Sequence, residues 1–210
     1  MWHTLAPDVT PDFDLLDQWR AGDKAAGEAL FARYFDNLCG FFATKCFDAA
    51  DELVQRTFLA TVKSKDTFRK QSSFRTYLFT VARNELYQHF RERRRDDRLD
   101  FSITSVADII TTPATRIARD AERRQLHETL RGMPIEYQTL LELHYWEDLD
   151  AAALAEVFDT TSAAIRVRLH RARKLLRERL LPDTSEDDTQ IDELARSRKP
   201  DPMLDRNKGE

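Results

Sequence analysis

Ser162-Ala163-Ala164-Ile165-Arg166-Val167-Arg168-Leu169-His170-Arg171-Ala172-Arg173-Lys174-Leu175-Leu176-Arg177-Glu178-Arg179-Leu180 places apolar residues at 165, 169, 172, 176 and 180. Steps of four, three, four and four lay these along one side of a helix. Arg166, Val167, His170, Arg171, Arg173, Lys174 and Arg177 then point away from the stripe. From Arg166 to Arg179 there are seven Lys or Arg and one acid, Glu178. A short amphipathic stretch, 149–158, precedes it. Asp159-Thr160-Thr161-Ser162 separates the two as a polar turn, with Thr161 or Ser162 as helix cap.

Short helix, tight turn and basic helix make a helix-turn-helix. Its second helix is built to lie in a DNA major groove with its N-terminal residues at base edges. Arg166, Val167 and Arg171 sit where that requires. An arginine can bond guanine bidentately, and a valine can contact a thymine methyl. Arg173, Lys174 and Arg177 suit phosphates, which add affinity without sequence information. Arg168 and His170 complete this candidate duplex-binding set. The alternative is a solvated basic face.

Reading outward, Leu126 and Leu130 lie four apart, Gly132-Met133-Pro134 is a turn, and Pro134 suits the first position of a helix over 135–145. Residues 121–181 thus read as one helical block. Three helical stretches are predicted before residue 96. Phe13, Leu16 and Trp19 open the first, followed by a broad stripe of Leu30, Phe31, Tyr34, Phe35, Leu38, Phe41 and Phe42. Residues 48–64 form the second, with Leu53, Val54, Phe58, Leu59 and Val62 inward. A polar loop follows. Ser73 caps a third helix that buries Phe74, Tyr77, Leu78, Val81 and Ala82 and runs into Arg91, Arg93, Arg94 and Arg95.

The expected fold is all-α: two small helical domains, 13–96 and 121–181, joined by a flexible linker over 97–120. The linker is polar and aperiodic, although a short helix around 106–110 remains open. Residues 182–210 form an acidic tail expected to lack fixed structure.

The 210 residues are 41% hydrophobic and 33% charged, with 5 Gly, as suits long, exposed helices. No run of 18 apolar residues occurs, so no membrane insertion is expected. The opening Met1-Trp2-His3-Thr4-Leu5-Ala6-Pro7-Asp8 lacks the basic-then-apolar order of a signal peptide. Cys39 and Cys46 make no disulfide framework, and a reduced cytoplasmic compartment is the expected home. The net charge of −4 is carried by the tail, where nine acids face five bases from residue 182 onward. The rest is neutral overall and basic in two places, and local charge decides contact with phosphates.

Residues 163–173, quoted above, resemble the Gly-Thr-Val-Lys-Ser-Arg-Leu-x-Arg-Ala-Arg signature of the extracytoplasmic-function sigma factors. Asp51-Glu52-Leu53-Val54-Gln55-Arg56-Thr57-Phe58 looks like that family's Glu-Asp-Leu-Val-Gln-Glu-Thr-Phe. Phe74-Arg75-Thr76-Tyr77-Leu78-Phe79-Thr80-Val81-Ala82-Arg83-Asn84 is similar to its Phe-x-x-Trp-Leu-x-x-Ile-Ala-x-Asn. Three motifs fall in the family's order across 13–181. Departures are Ala163-Ala164 for Gly-Thr, Val167 for a small polar residue, and Arg56 for an acid.

The resemblance implies a protein that carries core RNA polymerase to promoters. Residues 13–96 correspond to sigma region two, and 121–181 to sigma region four. Asp51, Glu52, Gln55 and Phe58 would bind the clamp helices of the largest polymerase subunit, although an ordinary core helix has the same pattern. Region four would read an upstream duplex element. The loop 65–73 with Asn84 would read a melted element near the start site. A flipped base needs hydrogen-bonding groups and an aromatic wall, which Phe68, Arg69, Gln71, Ser72 and Asn84 supply. Phe68 can equally be a loop anchor in the core. Arg83, Arg91 and Arg94 would hold the strand's phosphates, or the 91–95 run is a solvated helix end. The linker either threads toward the polymerase or is a plain tether. An anti-sigma factor or other regulator is the further partner implied.

No catalytic constellation is present. His3, His89, His127, His144 and His170 are isolated, and no phosphate-cradling glycine loop or nucleophile elbow occurs. No metal, cofactor or enzymatic activity is expected. Two other readings stay open: a helix-turn-helix regulator that never engages polymerase, and a sigma-like interaction protein that binds an anti-sigma partner.

Overall fold

The computed structural model describes residues 10–110, 121–180 and 188–197. The opening octapeptide, the second half of the expected linker, Leu181 and most of the acidic tail lie outside the described residues. Within them the chain is helical and has no strand. One isolated bridge joins Ser105 and Pro134.

The first module contains α1 (Asp12–Arg20), α2 (Lys24–Cys46), a 3-10 turn (Phe47–Ala49), α3 (Ala50–Ser64) and α4 (Phe74–Arg94). Asp23 starts α2 by accepting from the amides of Ala25 (2.9 Å) and Ala26 (3.3 Å). Leu30, Tyr34, Leu38, Phe41 and Phe42 of the expected stripe are buried. Phe31 is half-buried and stacks on Phe58 at 4.2 Å. Gly27 is required where α1 crosses α2, because a Cβ there would stand 2.7 Å from the Trp19 indole.

Two expectations for α3 are corrected. Leu59 and Val62 do not face inward; they are 59% and 41% exposed. The buried edge is Leu53, Val54, Thr57 and Thr61. Both threonine hydroxyls donate to carbonyls one turn back, Thr57 to Leu53 (2.7 Å) and Thr61 to Thr57 (2.8 Å). Thus satisfied, they pack as apolar groups and displace the larger residues to the outer face.

Ser73 caps α4 through the Thr76 amide at 3.0 Å. Phe74, Leu78, Ala82, Leu86 and Phe90 are buried, while Tyr77 and Val81 are half-buried. The helix ends with Arg95 in the left-handed region (φ 52°). Its amide donates to Glu92 and that of Asp96 to Arg91, closing the last turn.

The second module contains α5 (Ala121–Arg131), α6 (Ile135–Tyr145), α7 (Ala151–Val157) and α8 (Ser162–Leu180). Pro134 precedes α6 as its cap residue, one position earlier than expected. α6 is central and buried on nearly every side. All five stripe residues of α8 are buried. Thr161 caps this helix by accepting from the Ala164 amide at 3.1 Å.

The linker is no loose tether over its described half. Phe101 is buried and stacks on Tyr87 of α4 at 4.0 Å; Val106 and Ile110 are buried too. The amides of Ile135 and Glu136 donate to Thr104 and Phe101 at 2.9 and 3.0 Å. Apolar residues five and four apart have no helical period, yet each fills a slot. Residues 106–110 form a turn, not a helix.

The tail expectation is also corrected in part. Residues 188–197 form α9 (Asp188–Ser197), which packs on the second module. Leu194 is half-buried and Ala195 is buried. Acidic composition masked this short amphipathic helix.

Candidate nucleic-acid interface

α7 and α8 meet through a turn in which Asp159 takes a left-handed conformation (φ 50°), one that Asp tolerates better than most residues. The buried stripe fixes α8, so its rotation decides what faces out. Arg166, Val167, His170, Arg171 and Lys174 are exposed, Val167 at 51%. Large apolar exposure beside basic groups is what contact with a thymine methyl requires.

Two members of the expected set are otherwise engaged. Arg168 is ion-paired with Glu136 at 2.7 Å. The guanidinium of Arg173 donates to the Tyr145 hydroxyl at 2.7 Å and lies 3.4 Å from the Asp192 carboxylate. Arg177 is half-buried.

The loop 65–73 is held against α1. Arg20 donates to the carbonyls of Lys65 and Phe68, at 2.9 Å through Nε and 2.5 Å through Nη2 respectively. Lys70, at φ 55°, is ion-paired with Asp17 at 2.5 Å. Phe68 stacks on Tyr77 at 4.2 Å and faces Phe13, so the ring anchors the loop in the core. Arg69 and Gln71 are exposed, and Ser72 is half-buried. Asn84 is exposed on α4 and accepts from Arg83 at 3.0 Å. Sequence reasoning missed Arg20, because a loop-pinning guanidinium carries no periodic signature.

Arg83 does not face open solvent. It donates to the Val157 carbonyl at the end of α7 (2.5 Å) and lies over the Tyr87 and Phe158 rings. Burial lowers its pKa below the usual guanidinium range. Arg91 lies over the Phe101 ring, whereas Arg94 is exposed.

Arg83 belongs to a polar seam that locks the modules together. Lys45, fully buried on α2, ion-pairs with Glu142 on α6 and also donates to the Phe41 carbonyl at 2.9 Å. Thr44 (2.9 Å) and Gln138 (2.7 Å) donate to the same carboxylate. Burial lowers the Lys45 pKa, and Glu142 opposes that shift. Glu147 accepts from Asn37 (2.7 Å) and Arg75 (2.6 Å). Beside this seam, Glu147, Asp148, Asp150 and Glu156 line a cleft with Ser72 and Ser73 of the loop. In this closed arrangement α7 covers part of the helix that carries Asn84.

The outer face of α3 collects Asp51, Glu52, Gln55, Leu59 and Val62, all exposed, with Phe58 half-buried at its edge. Acids thus surround two exposed apolar side chains, a ridge along the outer face of the helix. Arg56 is not part of it. This residue turns to α4, pairing with Glu85 (2.8 Å) and Glu92 (3.2 Å).

Among the described residues no group of side chains could hold a metal ion, and no helix is long and apolar enough to cross a membrane. Cys39 and Cys46 are buried, and burial pushes the Cys46 thiol up to about 12.

Residues 30–96 match the family model of sigma-70 region 2, and residues 123–176 that of sigma-70 region 4. The chain is 24% identical over 182 residues to the ECF RNA polymerase sigma-E factor of Haemophilus influenzae, covering 81% of this chain and 96% of that one. It is 26% identical to the RNA polymerase sigma-H factor of Pseudomonas aeruginosa, covering 81% and 94%. Among solved structures, the sigma factor RpoE in complex with the anti-sigma factor NepR from Bartonella quintana superposes with a TM-score of 0.54 at 25% identity, covering 70% and 92%. CnrH in complex with the cytosolic domain of CnrY gives 0.54 at 22%, covering 82% and 99%, a likeness of fold alone.

Proposed function

We propose that this chain, which belongs to the extracytoplasmic-function sigma factors of the sigma-70 family, directs core RNA polymerase to promoters by gripping two separate promoter segments with its two modules. One observation carries the reading: an exposed basic recognition helix stands on one module, and a pinned polar loop followed by the helix that exposes Asn84 stands on the other. A duplex-binding regulator needs only the first.

The division of labour follows from exposure. Arg166, Val167 and Arg171 meet duplex bases, with Arg168 and His170 beside them; Lys174 and Arg177 meet phosphates. Arg69, Gln71, Ser72 and Asn84 receive the melted strand, Phe68 shapes the loop from below, and Arg94 and Arg91 follow the backbone. Asp51, Glu52, Gln55 and Phe58, joined by Leu59 and Val62, dock on the polymerase clamp.

The closed arrangement is the resting form in this reading. Arg83 on α4 is occupied by the Val157 carbonyl of the other module, so the modules separate before it can serve DNA. A polar seam suits such a change, since its groups find water on opening, whereas an apolar seam would not. An anti-sigma factor that holds the chain closed is the fitting regulator, as the similar sigma factor RpoE was solved in complex with the anti-sigma factor NepR.

The test is co-elution with purified core polymerase, followed by duplex binding with and without it. Tight association, and promoter binding that depends on polymerase, support the reading. Sequence-specific duplex binding by a chain that never associates with polymerase supports a conventional regulator instead.

A further inference from the structure

We infer that α9 is an internal competitor for DNA: Asp192 holds Arg173 in the position that a promoter phosphate takes. The inference rests on the reading of α8 as the DNA-facing helix and adds a role for the acidic tail.

Three contacts seat α9. The Trp146 indole donates to the Ala195 carbonyl at 2.7 Å, tying the helix to the end of α6. Ala195 closes over a small apolar cavity shared with Leu126, Leu130, Leu141 and Leu176. Tyr145 donates its hydroxyl proton to Asp192, and Arg173 reaches both, donating to the Tyr145 oxygen at 2.7 Å and standing 3.4 Å from the carboxylate. The far side of the guanidinium meets the His144 Nε2 at 3.0 Å. His144 Nδ1 is 3.0 Å from the Leu149 carbonyl. That partner makes Nδ1 the protonated nitrogen and Nε2 the acceptor.

The chemistry is that of a phosphate site. A carboxylate on a guanidinium presents the same charge and acceptor oxygens as a phosphodiester. Arg173 and Asp192 are both partly exposed, 27% and 33%, so their pair is weak enough to exchange. Yet α9 follows α8 after only seven residues, which gives the tail a high effective concentration at this site. Weak and tethered is the combination an exchangeable cover requires.

The test measures binding of the full chain to a random-sequence DNA duplex over a range of salt concentrations. Asp192→Asn is expected to raise affinity about twofold to fivefold, and to steepen the salt dependence by about one released counterion. Arg173→Ala should weaken the Asp192→Asn protein more than the wild type, because the wild-type arginine is already covered. Lys174→Ala, at an exposed site on the same helix, checks the underlying reading and should lower both affinity and slope. If Lys174→Ala has its effect and Asp192→Asn has none, α9 is structural packing and the inference fails. If Lys174→Ala has no effect, α8 is not the DNA-facing helix and the inference falls with that reading. Unaltered melting of Asp192→Asn shows that a gain reflects release of Arg173; a gain accompanied by a lower melting temperature overturns the competitor role in favour of general loosening.

Discussion

The Lys45 ammonium and the Glu142 carboxylate form an ion pair that is buried between the two modules, with 0% and 2% of their side chains exposed. Glu147, the other buried carboxylate of the seam, is already engaged by Asn37 and Arg75. Glu142→Leu therefore leaves a buried, uncompensated ammonium and is expected to cost ~3–5 kcal/mol in urea unfolding. Lys45→Met combined with Glu142→Leu should recover most of that loss, because neither desolvated charge remains. A double variant as unstable as the sum of the singles would show that packing, not charge, holds the seam.

Arg166→Ala and Arg171→Ala should each weaken recognition of the upstream duplex element by ~1–3 kcal/mol, with little effect on folding, since both side chains are exposed. Affinity measured on mapped promoters, set against scrambled duplexes, checks this. Equal losses on both would reassign the two arginines to phosphates.

Asn84→Ala should impair strand opening more than duplex binding. Asn84 lies outside the helix-turn-helix and bonds only weakly to its neighbour Arg83. Permanganate footprinting of holoenzyme on a responsive promoter is the measurement. Normal bubbles with the variant would remove Asn84 from the strand-reading site.

Leu59→Asp tests the α3 ridge. The residue is 59% exposed, so stability should change by no more than about 0.5 kcal/mol. Affinity for core polymerase should fall by at least ~1 kcal/mol if an apolar anchor is lost. Unchanged co-elution would move the docking site elsewhere.

The helices were legible wherever one apolar period ran uninterrupted. The α8 stripe from Ile165 to Leu180 gave its rotation directly, and with it the outward set. Ser73 was legible as a cap, and the cap of α8 as either Thr161 or Ser162, of which Thr161 is the one used, because a short hydroxyl side chain at a helix start has few other uses. The inner face of α3 was misread because Thr57 and Thr61 hide their polarity in their own backbone. That error concealed Leu59 and Val62 as ridge residues. The linker was misjudged because Phe101, Val106 and Ile110 pack as separate plugs without a period. Lys45, Glu142 and Arg83 were invisible as seam residues: their partners lie 97 and 74 positions away. Long-range pairing of this kind leaves no local pattern.

Promoter direction is tested most directly by run-off transcription with purified core polymerase on genomic fragments, with the 5′ ends of the products mapped. New ends should appear only when the chain is present, and the DNA upstream of them should share two short elements at constant spacing. Products whose ends are the same with and without the chain would contradict the assignment of this protein to promoter selection.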